Sequence, residues 1–314
     1  MFARLLNQLC AIACLIALVG CNQQSPSATP LNSPSPASLT VPKGKIVIAD
    51  VSQTPSKKFE RFQPMADYIA SQLHQFGIGV GEVRIAQDFE TVANWIKKGD
   101  VDIYFDSPYP AMRVKQLSGA LPILRRWKNG QDSYFGIIII RANSGIYSVK
   151  DLLGKTIAFE EPVSTSGYFL QLGYLFQSGL NVVQKQSLDK SVPANKVGYV
   201  FSEDDENTIQ WVINGKVDAG ATDGVLFETV PEESRKAMKI LAKTDKIARN
   251  IVLIKPKMKP EQAAAIKSIL INMDKTEEGK KILNIFEKTT KFDEYPVKAD
   301  LDKMQQLYDR IKAQ

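Results

Sequence analysis

The sequence predicts an α/β protein of two lobes, each a mostly parallel sheet flanked by helices. Three observations carry this expectation. Short apolar runs of strand length alternate with segments of helical period from Lys45 to Thr222. The alternation occurs in two sets, separated by a long apolar run, Tyr134 to Arg141, that reads as a buried crossing strand. The 314 residues are 44% hydrophobic and 24% charged, ordinary globular usage with chain enough for one or two domains of roughly 100–200 residues each.

The elements follow in order. Arg4 precedes a mostly apolar run, Leu9 to Val19, too short to span a membrane and suited to the core of a signal peptide. Leu18-Val19-Gly20-Cys21 resembles the bacterial lipobox, so residues 1–21 read as a lipoprotein signal peptide with Cys21 as the lipidated first residue of the mature chain. From Asn22 to Lys43 the chain is mainly Ser, Pro, Ala and Thr, a flexible tether with little to bury. Lys45 to Val51 is a strand, and Phe62, Met65, Ala66, Ile69, Leu73 and Phe76 mark one face of a helix. Gly79 to Ala86 (strand), Glu90 to Lys98 (helix) and Val101 to Phe105 (strand) complete the first set. The second set is strand Thr156 to Glu160, helix Gly167 to Gln177, strand Val197 to Phe201, helix Asn207 to Asn214 and strand Asp218 to Thr222. Helices dominate from Pro260, and Leu301, Met304, Leu307 and Ile311 form the last apolar face.

Charge and rare residues exclude whole classes of function. The net charge of +6 comes from Lys and Arg scattered among acids, which fits weak attraction to anions and no nucleic-acid partner. Cys10, Cys14 and Cys21 all belong to the leader, and His74 is the sole histidine. No Ser-His-Asp, Cys-His or histidine-rich zinc arrangement can therefore be assembled, and neither metal nor cofactor is expected. Glu160, Glu161, Asp205 and Asp223 are the acids an enzymatic reading needs, but nothing in their spacing favours acid–base chemistry over binding, and the chain is not expected to be an enzyme.

Ligands of open α/β sheets sit beyond the carboxyl ends of strands. That rule selects Ser52 and Gln53, then Asp106, Ser107 and Tyr109, then Ser164, Thr165, Ser166, Gly167, Tyr168, Asp205 and Asp223. Ser164-Thr165-Ser166 opens a helix, where unpartnered N–H groups and the dipole make an anion cradle to which hydroxyls add donors. The competing use of such residues is a simple N-cap. Tyr109 and Tyr168 offer either a hydroxyl and a wall or mere packing. Asp106 also suits a turn with Pro108, Asp223 suits a turn before Gly224, and Trp127 and Tyr134 suit core or cleft rim.

Several motifs, taken in order, resemble the phosphate/phosphite/phosphonate-binding family of ABC-transporter solute receptors. They are Arg61-Phe62-Gln63-Pro64-Met65-Ala66-Asp67-Tyr68-Ile69, Gly99-Asp100-Val101-Asp102-Ile103, Ser107-Pro108-Tyr109, Asp151-Leu152-Leu153-Gly154-Lys155, Ser164-Thr165-Ser166-Gly167-Tyr168 and Asn214-Gly215-Lys216-Val217-Asp218. The resemblance implies the type II bilobed fold of periplasmic binding proteins, crossed twice, near Arg141 to Ile146 and near Ala242 to Ile251. Lobe one is then 43–141 plus 251–314, and lobe two 142–250. It further implies that Ser164, Thr165 and Ser166 hold phosphoryl oxygens and that Asp223 matches the acid receiving the amine of aminophosphonates. The chain departs from the family at Phe201-Ser202-Glu203-Asp204-Asp205-Glu206-Asn207, where Asp205 stands in place of a His. A carboxylate there repels a fully ionised phosphate but accepts a hydrogen bond from a protonated phosphoryl oxygen or pairs with an amine. The implied function is a lipid-anchored, monomeric solute-binding protein of the periplasm or cell surface that binds a small phosphorus oxyanion and delivers it to ABC permease and ATPase subunits. The alternative is a sensor of the same fold feeding a membrane signalling protein.

Overall fold

The computed structural model describes residues 42–53 and 55–313. The expected signal peptide, the lipidation site Cys21 and nearly all of the 22–43 tether lie outside the described residues. Both sheets and all the core clusters belong to one unit, Val41–Gln314.

The strands run β1 (Gly44–Val51), β2 (Ile78–Ala86), β3 (Ile103–Asp106), β4 (Leu121–Lys128), β5 (Ser133–Tyr134), β6 (Gly136–Arg141) and β7 (Thr156–Phe159). They continue with β8 (Val182–Gln184), β9 (Val197–Phe201), β10 (Ala219–Asp223), β11 (Met238–Lys243), β12 (Ile247–Ala248), β13 (Asn250–Ile254) and β14 (Thr289–Asp293). The lobe-one sheet has the order β14-β4-β13-β3-β1-β2 and the lobe-two sheet β11-β6-β10-β7-β9-β8. β1 pairs in parallel with β2 and β3, and in lobe two β7 with β9 and β10 and β8 with β9; the entering strands β13 and β6 pair antiparallel with both neighbours, and β14 pairs antiparallel with β4.

The same five-residue device builds both parallel halves. After a helix, Gly99 (φ 82°) and Gly215 (φ 70°) turn the chain in the left-handed region that glycine alone adopts freely. Three residues on, Asp102 accepts from Val47 N at 2.8 Å, and Asp218 accepts from Thr156 N at 2.9 Å. Each aspartate thereby pins the start of one strand to the next.

The first crossing, expected near Arg141 to Ile146, lies elsewhere, whereas β12 falls inside the stretch Ala242 to Ile251 expected for the second. Gly136–Arg141 is no crossing strand: β6 pairs with β10 and β11 inside the lobe-two sheet. The first crossing is the short ribbon in which β5 pairs antiparallel with β12, Tyr134 opposite Ile247. The lobe-one limit expected at 141 thus moves back to this ribbon. A run buried on both faces has no period to say which sheet receives it.

The lobes also touch through side chains. Tyr109, on helix Pro108–Ser118, stacks on Phe169 of lobe two with ring centroids 4.0 Å apart and planes within 3°. Leu307, on the last helix Val297–Lys312, lies over Gly173, where a Cβ would come within 2.6 Å of it. Asp300 of that helix accepts from Ala248 N at 3.0 Å, fastening the helix to the ribbon.

Candidate functional site

A cleft of 1210 Å³ lies between the lobes, and its floor is the carboxyl ends of β1, β3, β7 and β10. This is where the strand-end rule places ligands.

On lobe two, the helix after β7 opens as a π turn, Thr165–Phe169, and continues as the α-helix Leu170–Gln177. Such turns recur at functional sites. Ser164 caps it, its Oγ accepting from Gly167 N at 2.9 Å and donating to Glu160 at 2.6 Å. Thr165 Oγ1 reaches across the cleft, accepting from Tyr109 N at 2.9 Å and donating to Ser107 Oγ at 2.8 Å. The Thr165 and Ser166 amides precede the first intrahelical acceptors. Ser166 Oγ lines the cleft with no protein partner among the described residues.

Acids surround this tip. Burial drives the Glu160 carboxyl well above its ordinary range, and the neighbouring Asp205 adds to the rise. Burial also pushes Asp205 up to about 6, although it accepts from Thr222 Oγ1 at 2.5 Å and Asp223 N at 3.2 Å. Glu161, Glu206 and Glu228 line the same wall, and the cation Arg249 beside them is taken up by Asp223. Among the described residues no three acidic, histidine or cysteine side chains converge as a metal requires.

On lobe one, Lys58 pairs with Asp50 at 2.5 Å and with Glu287 at 2.8 Å. Glu287 also receives Arg126 at 2.9 Å and Lys128 at 3.2 Å. Burial opposes its charge, but these three cations outweigh burial and hold Glu287 well below the carboxylate range. Asp50 and Asp106 both line the floor of the cleft, and burial raises both.

The expected site residues divide into two groups. Ser52, Ser107, Ser164, Thr165, Ser166, Asp205 and Asp223 line the cleft, and the neighbouring Asp106 does too. Tyr109, Tyr168 and Gly167 do not. Tyr109 lies between Phe89 and Phe169, and Tyr168 packs on Phe159 and Phe201, so both rings serve the packing of the lobes. Gly167 instead leaves room for Glu160: a Cβ there would lie 2.7 Å from its Oε2. Asp223 caps the next helix through Val225 N at 2.8 Å and pairs with Arg249 at 3.0 Å, so its charge is already neutralised. Of the acidic loop, Asp204 caps the helix while Asp205 and Glu206 face the cleft. Sequence reading missed Asp50, Lys58, Glu287 and Arg249. Asp50 lies inside its strand and Arg249 just before β13, so the strand-end rule passes over both, and Glu287 acquires its partners from positions far away in the chain.

A protein of Mycolicibacterium smegmatis (strain ATCC 700084 / mc(2)155), named phosphate-import protein PhnD, is 26% identical over 193 residues, 59% of either chain, so the chain matches about three-fifths of that curated relative's length. XAC2383 from Xanthomonas citri, solved bound to chloride ion, superposes with a TM-score of 0.80 at 23% identity, covering 85% of this chain and 98% of that one. PhnD1 from Prochlorococcus marinus (MIT 9301), solved in complex with methylphosphonate, gives a TM-score of 0.62 at 17% identity over 85% of this chain and 98% of that one. These solved structures share the fold, the type II periplasmic-binding-protein architecture. The model of the periplasmic substrate-binding protein of phosphonate ABC transporters matches residues 49–299, and the chain belongs to that family.

Proposed function

We propose that this chain is the extracytoplasmic receptor of an ABC importer and that it captures a small phosphorus oxyanion, phosphonate, phosphite or phosphate, between its lobes. The observation that carries the reading is that the tip Ser164–Ser166 opens into the interlobe cleft opposite Ser107. The Thr165 and Ser166 amides and the Ser166 hydroxyl donate to the phosphoryl oxygens. Import of phosphate by the mycobacterial relative and methylphosphonate in the cyanobacterial one support the ligand class.

The acids set the protonation state of what is bound. Two ionised carboxylates beside a dianion repel it, whereas a carboxylic acid donates a hydrogen bond to it. Asp205, titrating at about 6, and Glu160, raised further, make the cradle favour a ligand that shares a proton with them. Thr165 joins the lobes at the cradle itself, so closure and capture are one event. Attachment to the membrane through Cys21 and delivery to permease and ATPase subunits complete the proposal.

Calorimetry on the Val41–Gln314 body with phosphate, phosphite, methylphosphonate and aminoethylphosphonate tests this. Heat is expected with at least one of them, with tighter binding below the Asp205 titration than above it. No heat with any of the four removes the phosphorus ligand.

A further inference from the structure

Resting on the oxyanion reading above, we infer that the lobe-one rim of the cleft, at Lys128 and Lys288, is a second anion subsite. The ligand is then a phosphorus oxyanion whose organic arm ends in a second anionic group.

Space is the first argument. The cleft of 1210 Å³ exceeds the roughly 300–1,000 Å³ that encloses a drug-sized ligand. Inorganic phosphate or methylphosphonate fills a small part of it. Thr165 holds the lobes together at the cradle, so the volume is not a gape there; the cleft runs on from Ser166 to the turns bearing Lys128 and Lys288.

Charge is the second. Lys288 is exposed and has no carboxylate partner among the described residues. Lys128 has only Glu287, which Lys58 and Arg126 also claim. Burial lowers the proton affinity of Lys128, Glu287 opposes the fall, and Arg126, Arg249 and Lys58 add to it, so further cations lie close to this ammonium. On the facing wall, Ile209, Val225, Leu226 and Val230 offer an apolar path for an arm. Glu206 and Glu228 on that wall repel a second anion and confine it to the lobe-one side.

The backbone supplies the third. Asn129, Glu287 and Lys288 are non-glycine residues at φ 54°, 51° and 53°. Two successive left-handed residues are costly and persist where the surroundings enforce them. Here they turn Glu287 inward beneath the cations and leave Lys288 at the cleft, and Asn129 N, donating to Lys288 O at 2.9 Å, ties the two turns together.

The test is calorimetry on the Val41–Gln314 body with methylphosphonate, aminoethylphosphonate and 3-phosphonopropionate. 3-Phosphonopropionate is expected to bind at least tenfold more tightly than methylphosphonate. In K288Q, and in K128Q/K288Q, that ratio is expected to fall towards one. Equal affinities in the unmodified protein, tighter binding of the amine, or a ratio that survives the double substitution overturns the inference while the oxyanion reading stands. If none of the three binds, the oxyanion reading falls and takes this one with it.

Discussion

On the lobe-one wall, buried Glu287 faces Lys58 at 2.8 Å, Arg126 at 2.9 Å and Lys128 at 3.2 Å, whereas on the lobe-two wall Glu160 has, among the described residues, one hydroxyl donor, Ser164 at 2.6 Å, and no cation. A carboxyl group taken out of water must either be paired or take up a proton. Glu287 follows the first course and stays ionised at any pH near neutrality. Glu160 and Asp205 follow the second, and Asp205 does so at about pH 6. Lobe one thus provides a wall of fixed charge, and lobe two a wall whose charge changes with the protons available. The ligand's own proton is read on the second wall.

The sharpest way to break this contrast is to remove one carboxylate from each wall. Glu287→Gln leaves buried Arg126 and half-buried Lys128 without a carboxylate and Lys58 with Asp50 alone, and breaking a buried pair in this way costs about 3–5 kcal/mol. A large fall in the urea midpoint is expected. Asp205→Asn removes a charge that burial already disfavours, so above pH 6 the empty protein is expected to be as stable as before or more so. Comparable losses in the two variants mean that the walls do not differ in kind.

Between the walls stands Thr165, 2% exposed, with one bond to an amide and one to a hydroxyl of lobe one. Thr165→Val keeps the shape and orphans the buried Tyr109 N–H, a cost of about 1–3 kcal/mol. Denaturant melting measures it. An unchanged midpoint indicates that the lobes meet without this contact.

A third test reads the titration directly. The folded Asp205 carboxyl titrates at about 6, above its ordinary 3.8, so its stabilising share is complete below 3.8 and is lost as pH rises through 6. The melting temperature of the empty protein is therefore expected to fall from about pH 4 to about pH 6 and to level off above. Asp205→Asn flattens that slope, and affinity for phosphate should fall as pH rises through 6 in the unmodified protein. A slope that persists in the variant moves the titrating group elsewhere.

The two walls were unequally legible in the sequence. Lobe two announces itself, because a hydroxyl run follows a short apolar strand and the Asn214 to Asp218 turn repeats the pattern of Gly99 to Asp102. The antiparallel half of lobe one does not. β4 reads Leu-Pro-Ile-Leu-Arg-Arg-Trp-Lys, and its adjacent arginines argue against a buried strand. Both are buried because their partners arrive from distant chain: Asp293 holds Arg125 at 2.7 Å, and Glu287 holds Arg126. Hydrophobic period cannot register burial achieved by ion pairs. The site was legible to the same extent: strand ends gave Ser52, Ser107 and the Ser164 tip, but not the helix residue Lys58, whose place at the floor follows from tertiary packing.

The smallest expected effect separates capping from cradling. Ser164→Ala removes an N-cap, worth about 1 kcal/mol whatever the pH. It also removes the donor that helps keep Glu160 ionisable, since that hydrogen bond lowers the Glu160 titration against the rise caused by burial and Asp205. Without it the folded Glu160 pKa climbs further, and a raised carboxyl loses its stabilising share as pH rises. The deficit of the variant relative to the parent should therefore be near the cap value at about pH 5 and larger at about pH 9. Thermal melts at the two pH values measure the difference. Equal deficits reduce Ser164 to a cap and leave the Thr165 and Ser166 amides and the Ser166 hydroxyl to hold the anion alone.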